Sequence, residues 1–302
     1  MNHRRALEHL LPGALLLGAL AGCANIPEGQ APAPAPRRMD TGGTRCTDTI
    51  GDASASHVCV ERVVGRVTDQ DGRPVTGVLL TLCGMGQCRD LAPNSNGEFD
   101  YRIEARLNPG VFAVHAEAPQ QPYALLYAQM PQVRAGVATF ESPIRLHRMN
   151  SEGAAIVRGM SAGQTVTAGD VTLTIPRGAM ILPSLADEER TLEFRSVGVA
   201  MYQSPAFAQG ASMSALYALA PTALTSTMSM RVRVRNRAEL AAGQRVEFVT
   251  MGTDIEADRF DAGSLIVLGL GRVTADGQFI ESDEGVGVRE LHWVGVRVKR
   301  AL

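Results

Sequence analysis

The stretch Val63-Val64-Gly65-Arg66-Val67-Thr68, followed by Asp69-Gln70-Asp71-Gly72-Arg73-Pro74 and then Val75 to Cys83, decides the fold. β-Branched residues favour a pleated, half-buried strand and Asp71-Gly72 favours a tight turn, so Val75 to Cys83 reads as the returning strand. Working outward, Asn94-Ser95-Asn96-Gly97 is a second turn that leads into the strand Glu98 to Ile103. Pro109-Gly110 then opens a strand from Val111 to Ala116, with Val111, Ala113 and His115 on one face and Phe112, Val114 and Ala116 on the other. Further along, Val171, Leu173 and Ile175 alternate with Thr172 and Thr174, which predicts one buried face, and Pro176 ends that strand. Sustained helical periodicity is absent after residue 56. Short Val, Thr, Leu and Phe runs broken by Gly, Asn and Asp predict an all-β protein of two tandem β-sandwich domains, at 57–149 and 153–302.

The same residues carry a family resemblance. Gly65-x-Val67-x-Asp69-x-x-Gly72-x-Pro74-Val75-x-Gly77-Val78, then Asn96-Gly97-x-Phe99, then Pro109 to Val114 resemble the carboxypeptidase regulatory-like domain, a seven-stranded transthyretin-like β-sandwich. Members are usually non-catalytic, so the resemblance implies a spacer or binding module. In the C-terminal half, Gly169 to Ala179 resembles the opening of ZU5-like β-sandwiches, and Gly271 to Gly287 resembles the closing part of related bacterial surface modules. Some ZU5-related proteins cleave themselves at a His-Phe-Ser site. That triplet is missing here, and self-cleavage is not carried over.

At the N-terminus, Leu20-Ala21-Gly22-Cys23 resembles the lipobox of bacterial lipoproteins. The resemblance implies that Cys23 is lipid-modified and becomes the first mature residue. Residues 1–22 have the three parts of an export signal: His3, Arg4 and Arg5, the apolar Leu10 to Leu20, and small residues before the cut. The apolar run is shorter than the about 20 residues that span a bilayer. Acyl chains gain about 0.8 kcal/mol per buried CH₂ and would tether the chain to the membrane. Ala24 replaces the Asp usual in inner-membrane lipoproteins of enteric bacteria, which by that resemblance favours the outer membrane. Residues 23–56 form a flexible linker, with the repeat Ala31 to Pro36 favouring polyproline II at about 3.1 Å per residue.

The formal net charge is −2, and loss of residues 1–22 would remove Arg4, Arg5 and Glu8, leaving about −3. Such a balance excludes the strong basic excess of a nucleic-acid binder. Lys299 is the one lysine, and no motif surrounds it, which argues against a P-loop, a Schiff-base lysine or a Ser-Lys pair. Neither His-Glu-x-x-His nor His-x-x-Glu occurs, and the histidines after residue 22, His57, His115, His147 and His292, are widely spaced. No cofactor is expected, and no metal site. Met201, Met213, Met228, Met230 and Met251 lack the tight spacing of a copper site and read as core filling.

Apart from Cys23 there are four cysteines, Cys46, Cys59, Cys83 and Cys88, an even number that suits disulfides in an oxidising compartment. A hairpin would bring Cys83 to Cys88 and leave Cys46 with Cys59, although four cysteines allow three connectivities. Asp254, Glu256, Asp258 and Asp261 read either as a solvated loop or as a calcium site. In Arg231-Val232-Arg233-Val234-Arg235-Asn236-Arg237, a strand would put the four arginines on one side about 7 Å apart. Such a row would grip a polyanion, or it would be a solvent face paired with acids on a neighbouring strand, Glu247 for instance. These readings together describe a non-catalytic envelope lipoprotein whose partner is an envelope protein or, alternatively, a surface polysaccharide. An enzyme with a site assembled from scattered residues is the reading from another class.

Overall fold

The computed structural model describes residues 57–84, 87–118, 123–150, 153–157, 163–182, 191–221, 224–253 and 262–299. The anchor Cys23, the linker 23–56, Cys46 and the acidic loop from Asp254 to Asp261 lie outside the described residues. The chain is all-β: among the described residues the helical turns are three-residue 3-10 turns at Pro109–Val111, Met201–Gln203 and Ala206–Ala208.

Nine strands make the first segment: β1 (Val58–Asp69), β2 (Leu79–Gly84), β3 (Gln87–Leu91), β4 (Glu98–Leu107), β5 (Phe112–Glu117), β6 (Leu126–Gln129), β7 (Val133–Arg134), β8 (Val137–Thr139) and β9 (Ile144–Leu146). One sheet runs β4-β1-β8-β7, with β9 also paired to β1, and the other runs β3-β2-β5-β6. The turn after β1 is built on Asp69, whose Oδ1 accepts from the backbone N–H of Asp71 and of Arg73 at 2.9 Å each. That satisfies a carboxylate only 3% exposed. The returning strand departs from expectation. It starts at Leu79 rather than Val75 and pairs with β3 and β5 of the other sheet, not with β1. Pro74 makes one bridge to Thr68 and Gly77 adopts a positive φ, so the chain leaves the first sheet before a hairpin ladder forms.

β2 and β3 do form a hairpin, with Cys83 opposite Cys88 in register and joined by a disulfide with Cα atoms 4.1 Å apart. Cys59 is buried and also disulfide-bonded. The Cys83–Cys88 loop is short, so replacing both residues by serine is expected to cost about 2 kcal/mol of stability through loop-closure entropy. A urea midpoint unchanged by that double substitution would show that the hairpin is held by its ladder alone.

The second segment holds β10 (Ala154–Val157), β11 (Gln164–Ala168), β12 (Val171–Ile175), β13 (Ile181–Leu182), β14 (Thr191–Gly198), β15 (Met213–Ala220), β16 (Thr225–Arg235), β17 (Arg245–Met251), β18 (Leu265–Val273), β19 (Phe279–Ser282), β20 (Val288–Glu290) and β21 (Trp293–Val298). They form one sheet in the order β10-β14-β15-β21-β17-β18-β19-β16-β12-β11, with β13 and β20 also on β16. The sheet curls back on itself: the Ser196 hydroxyl of β14 donates to the Ala168 carbonyl of β11 at 2.6 Å, and the result is barrel-like and nearly closed. Val171, Leu173 and Ile175 are buried as their alternation predicts, with Phe194, Phe248, Leu219 and Met230 filling the interior.

No strand pairs across residues 150–153 among the described residues. The apolar packing does cross. In β15 and β21, Ala215, Tyr217, Leu219, Val294 and Val296 face the barrel interior, while Leu216, Ala218 and Trp293 join a cluster with Val67, Leu126, Leu146 and Met149 of the first segment. Both faces of these strands are covered, which is why Leu216-Tyr217-Ala218-Leu219 reads as a continuous apolar run. Trp293 is fully buried and its Nε1–H donates to the Leu125 carbonyl at 2.7 Å.

Candidate functional site

The arginine row is laid out as the alternation requires: Val232 and Val234 are fully buried, and the guanidinium groups stand outside. The carboxylates that meet them were not legible in sequence. Glu281 of β19, opposite Arg233 in register, lies 3.1 Å from Arg231 and 3.3 Å from Arg233. Asp170, in the β11–β12 turn, accepts two hydrogen bonds of 2.9 Å from Arg237 and lies 3.7 Å from Arg235. Its hydrogen bonds raise the pKa of Arg237 further. The Arg233 guanidinium also covers the Phe279 ring at 3.6 Å from the centroid. Glu247 is not a partner of the row. It pairs with Arg297 of β21 at 2.7 Å, because β18 and β19 stand between β17 and β16. Four guanidinium groups thus share two carboxylates on an exposed face, where each ion pair contributes little.

A cleft that sequence reading missed lies on the same sheet. β18 pairs with β17 from Leu265 to Arg272, but with β19 only at Gly271–Val273. Leu270 still accepts from the backbone N–H of Asp283 at 2.9 Å. Beyond that point the two paths separate, because β20 stays hydrogen-bonded to β16 while β18 stays on β17. The fork opens a cleft of about 380 Å³ bordered by Ile266, Val267 and Leu268 on one side and by Val288, Arg289 and Glu290 on the other. Two glycines permit the fork. Gly269 has φ +150°, and a Cβ there would lie 2.6 Å from Val286; a Cβ on Gly287 would lie 2.0 Å from the Met230 carbonyl oxygen. Ser282 pins the loop by donating to the Val286 carbonyl at 2.8 Å and accepting from the Val232 N–H at 3.1 Å.

His292 and Glu290 line the cleft together with Ser229, Thr250 and Thr253. His292 is 3% exposed. Its Nδ1 accepts from the Trp293 backbone N–H at 2.8 Å, which places the proton on Nε2. That Nε2 lies 3.9 Å from Glu290 Oε2, outside hydrogen-bond distance, and has no other polar partner among the described residues. Glu290 accepts from the Thr253 hydroxyl at 2.9 Å, and burial raises its pKa. Thr250 gives its proton to the Trp293 carbonyl at 2.7 Å, so His292 is not set to act as its base. Burial pushes His292 down to about 4, and the same cause pushes His115 and His147 to about 4. The nearby Tyr127 is pushed up to about 12 by burial and then by Glu290 and Glu117.

His115 lies 3.7 Å from Glu117, and His147 Nε2 lies 3.1 Å from the Gln203 carbonyl. These histidines are each held on a different element with different partners. Among the described residues no group of three or more His, Cys, Asp or Glu side chains is placed to hold a metal ion. One sequence signal for the cleft existed: Leu265-Ile266-Val267-Leu268-Gly269-Leu270-Gly271 has neither charge nor proline, unusual for a strand with an open edge. In comparisons with protein-family profiles, curated proteins and solved structures, nothing matches this chain.

Proposed function

We propose that the chain is a lipid-anchored module of the bacterial cell envelope, held through Cys23 at the outer membrane, that works by binding another envelope protein and not by catalysis. The observation that carries this reading is the uncharged β18 edge, where none of the six residues from Leu265 to Leu270 is fully buried and Val267 is 49% exposed. Soluble proteins blunt such edges with charge, proline or a cover, so an edge left this way fits a surface that a partner covers. The resemblance to carboxypeptidase regulatory-like domains points the same way, since it implies a spacer or binding module. Crosslinking in intact cells tests it: one recurrent protein partner, lost when Cys23 is replaced by serine, is expected. Capture of envelope glycan with no protein partner would overturn it.

The arginine row favours a second reading, polysaccharide binding, because four guanidinium groups that are 41–67% exposed have, among the described residues, two carboxylates within ion-pair distance, Glu281 and Asp170. If that face grips polyanions, replacing Arg231, Arg233, Arg235 and Arg237 by alanine will abolish retention on heparin at low salt. Unchanged retention would remove the reading.

A further inference from the structure

We infer that the forked cleft takes an extended segment of a partner protein as an added strand between β18 and β20, with a basic side chain of that segment reaching Glu290. The inference rests on the protein-binding role above and names what that role recognises. From Leu265 to Gly269, β18 is hydrogen-bonded on one side only among the described residues, and so is β20. Both strands border the same space, so an inserted segment finds backbone donors and acceptors to either side. Main-chain pairing of this kind supplies affinity, and the pockets met by alternate side chains supply specificity. The cleft, of about 380 Å³, runs alongside Ile266, Val267 and Leu268 of β18 and alongside Gly287, Val288, Arg289 and Glu290 on the other path.

The chemistry of the wall selects the occupant. Ile266, Val267, Leu268 and Val288 offer apolar contact. His292 Nε2–H has no hydrogen-bond acceptor among the described residues, Glu290 lying 3.9 Å away, and a peptide carbonyl would supply one. Glu290 is a partly buried carboxylate whose single hydrogen bond comes from Thr253, with no arginine within ion-pair distance among the described residues. Arg289 also borders the cleft, but as the neighbouring strand residue it points to the opposite face from Glu290. A lysine or arginine from the incoming segment is the complement that Glu290 lacks. A sugar would satisfy His292 and Glu290 but would leave both strand edges unpaired.

The test pans a random seven-residue peptide display library against the full-length protein in detergent, then measures one enriched peptide by fluorescence anisotropy. Enriched peptides are expected to share a lysine or arginine at one position. Binding is expected to weaken at least tenfold with Glu290→Gln, with Val267→Lys, which places a charge on the exposed β18 edge, and with N-methylation of alternate peptide amides. No enrichment, equal binding to both variants, or equal binding of the N-methylated peptide would overturn the inference. In the cellular crosslinking experiment, a partner still captured by both variants would leave the binding role standing and remove the cleft from it. Absence of any partner on the wild-type protein would remove the role itself.

Discussion

Replacing Trp293 by alanine is expected to destabilise the protein by about 4 kcal/mol, the usual cost of deleting a large aromatic from a packed core. Trp293 is fully buried at the point where barrel and N-terminal sheets meet. Its ring makes edge contacts with His147 at 5.5 Å and Phe207 at 5.6 Å between centroids. The substitution removes those contacts, opens a cavity and leaves the Leu125 carbonyl without its donor. In a chain of this size each kcal/mol shifts Tm by about 2–4 °C, so a fall of roughly 8–16 °C should appear in thermal denaturation followed by circular dichroism. Trp293→Phe keeps most of the packing and loses the hydrogen bond, and is expected to fall between wild type and alanine. A loss below about 1 kcal/mol for the alanine variant would mean that the two segments do not depend on this contact for stability.

The second large effect is acid sensitivity. His115, His147 and His292 are pushed down to about 4, in each case chiefly by burial, whereas an unfolded histidine titrates near 6.5. Between those values the unfolded chain binds more protons than the folded one, so stability rises with pH through this window. It is fully present above about 6.5 and lost as pH falls toward 4. Each histidine contributes on the order of 3 kcal/mol at most, less for His115, whose side chain is 20% exposed. Glu290, whose pKa burial raises, acts in the opposite sense and offsets part of the loss. The urea midpoint followed by fluorescence of Trp293, the one tryptophan, is therefore expected to drop sharply from pH 7 to pH 4.5. An equal midpoint at both pH values would mean that the histidines are not held neutral by the fold.

Much of this protein follows from local chemistry. The all-β class is legible because β-branched runs, Asp-Gly and Asn-Gly turns and period-two alternation each act within a few residues. Val171, Leu173 and Ile175 turn inward, and Arg231 to Arg237 turn outward, for the same local reason. Cys83 and Cys88 meet because a hairpin register depends on its own short turn. Strand order is a different matter, because the hydrogen-bond partner of a strand lies anywhere along the chain. Val75 to Cys83 left its expected sheet, Glu247 found Arg297 instead of the arginine row, and Glu281 and Asp170 took its place. The cleft exists only because β19 and β20 stay with β16 while β18 stays with β17. Its residues are ordinary one by one; the tertiary structure alone decided that His292, the Glu290 carboxylate and two strand edges unpaired among the described residues would face the same space.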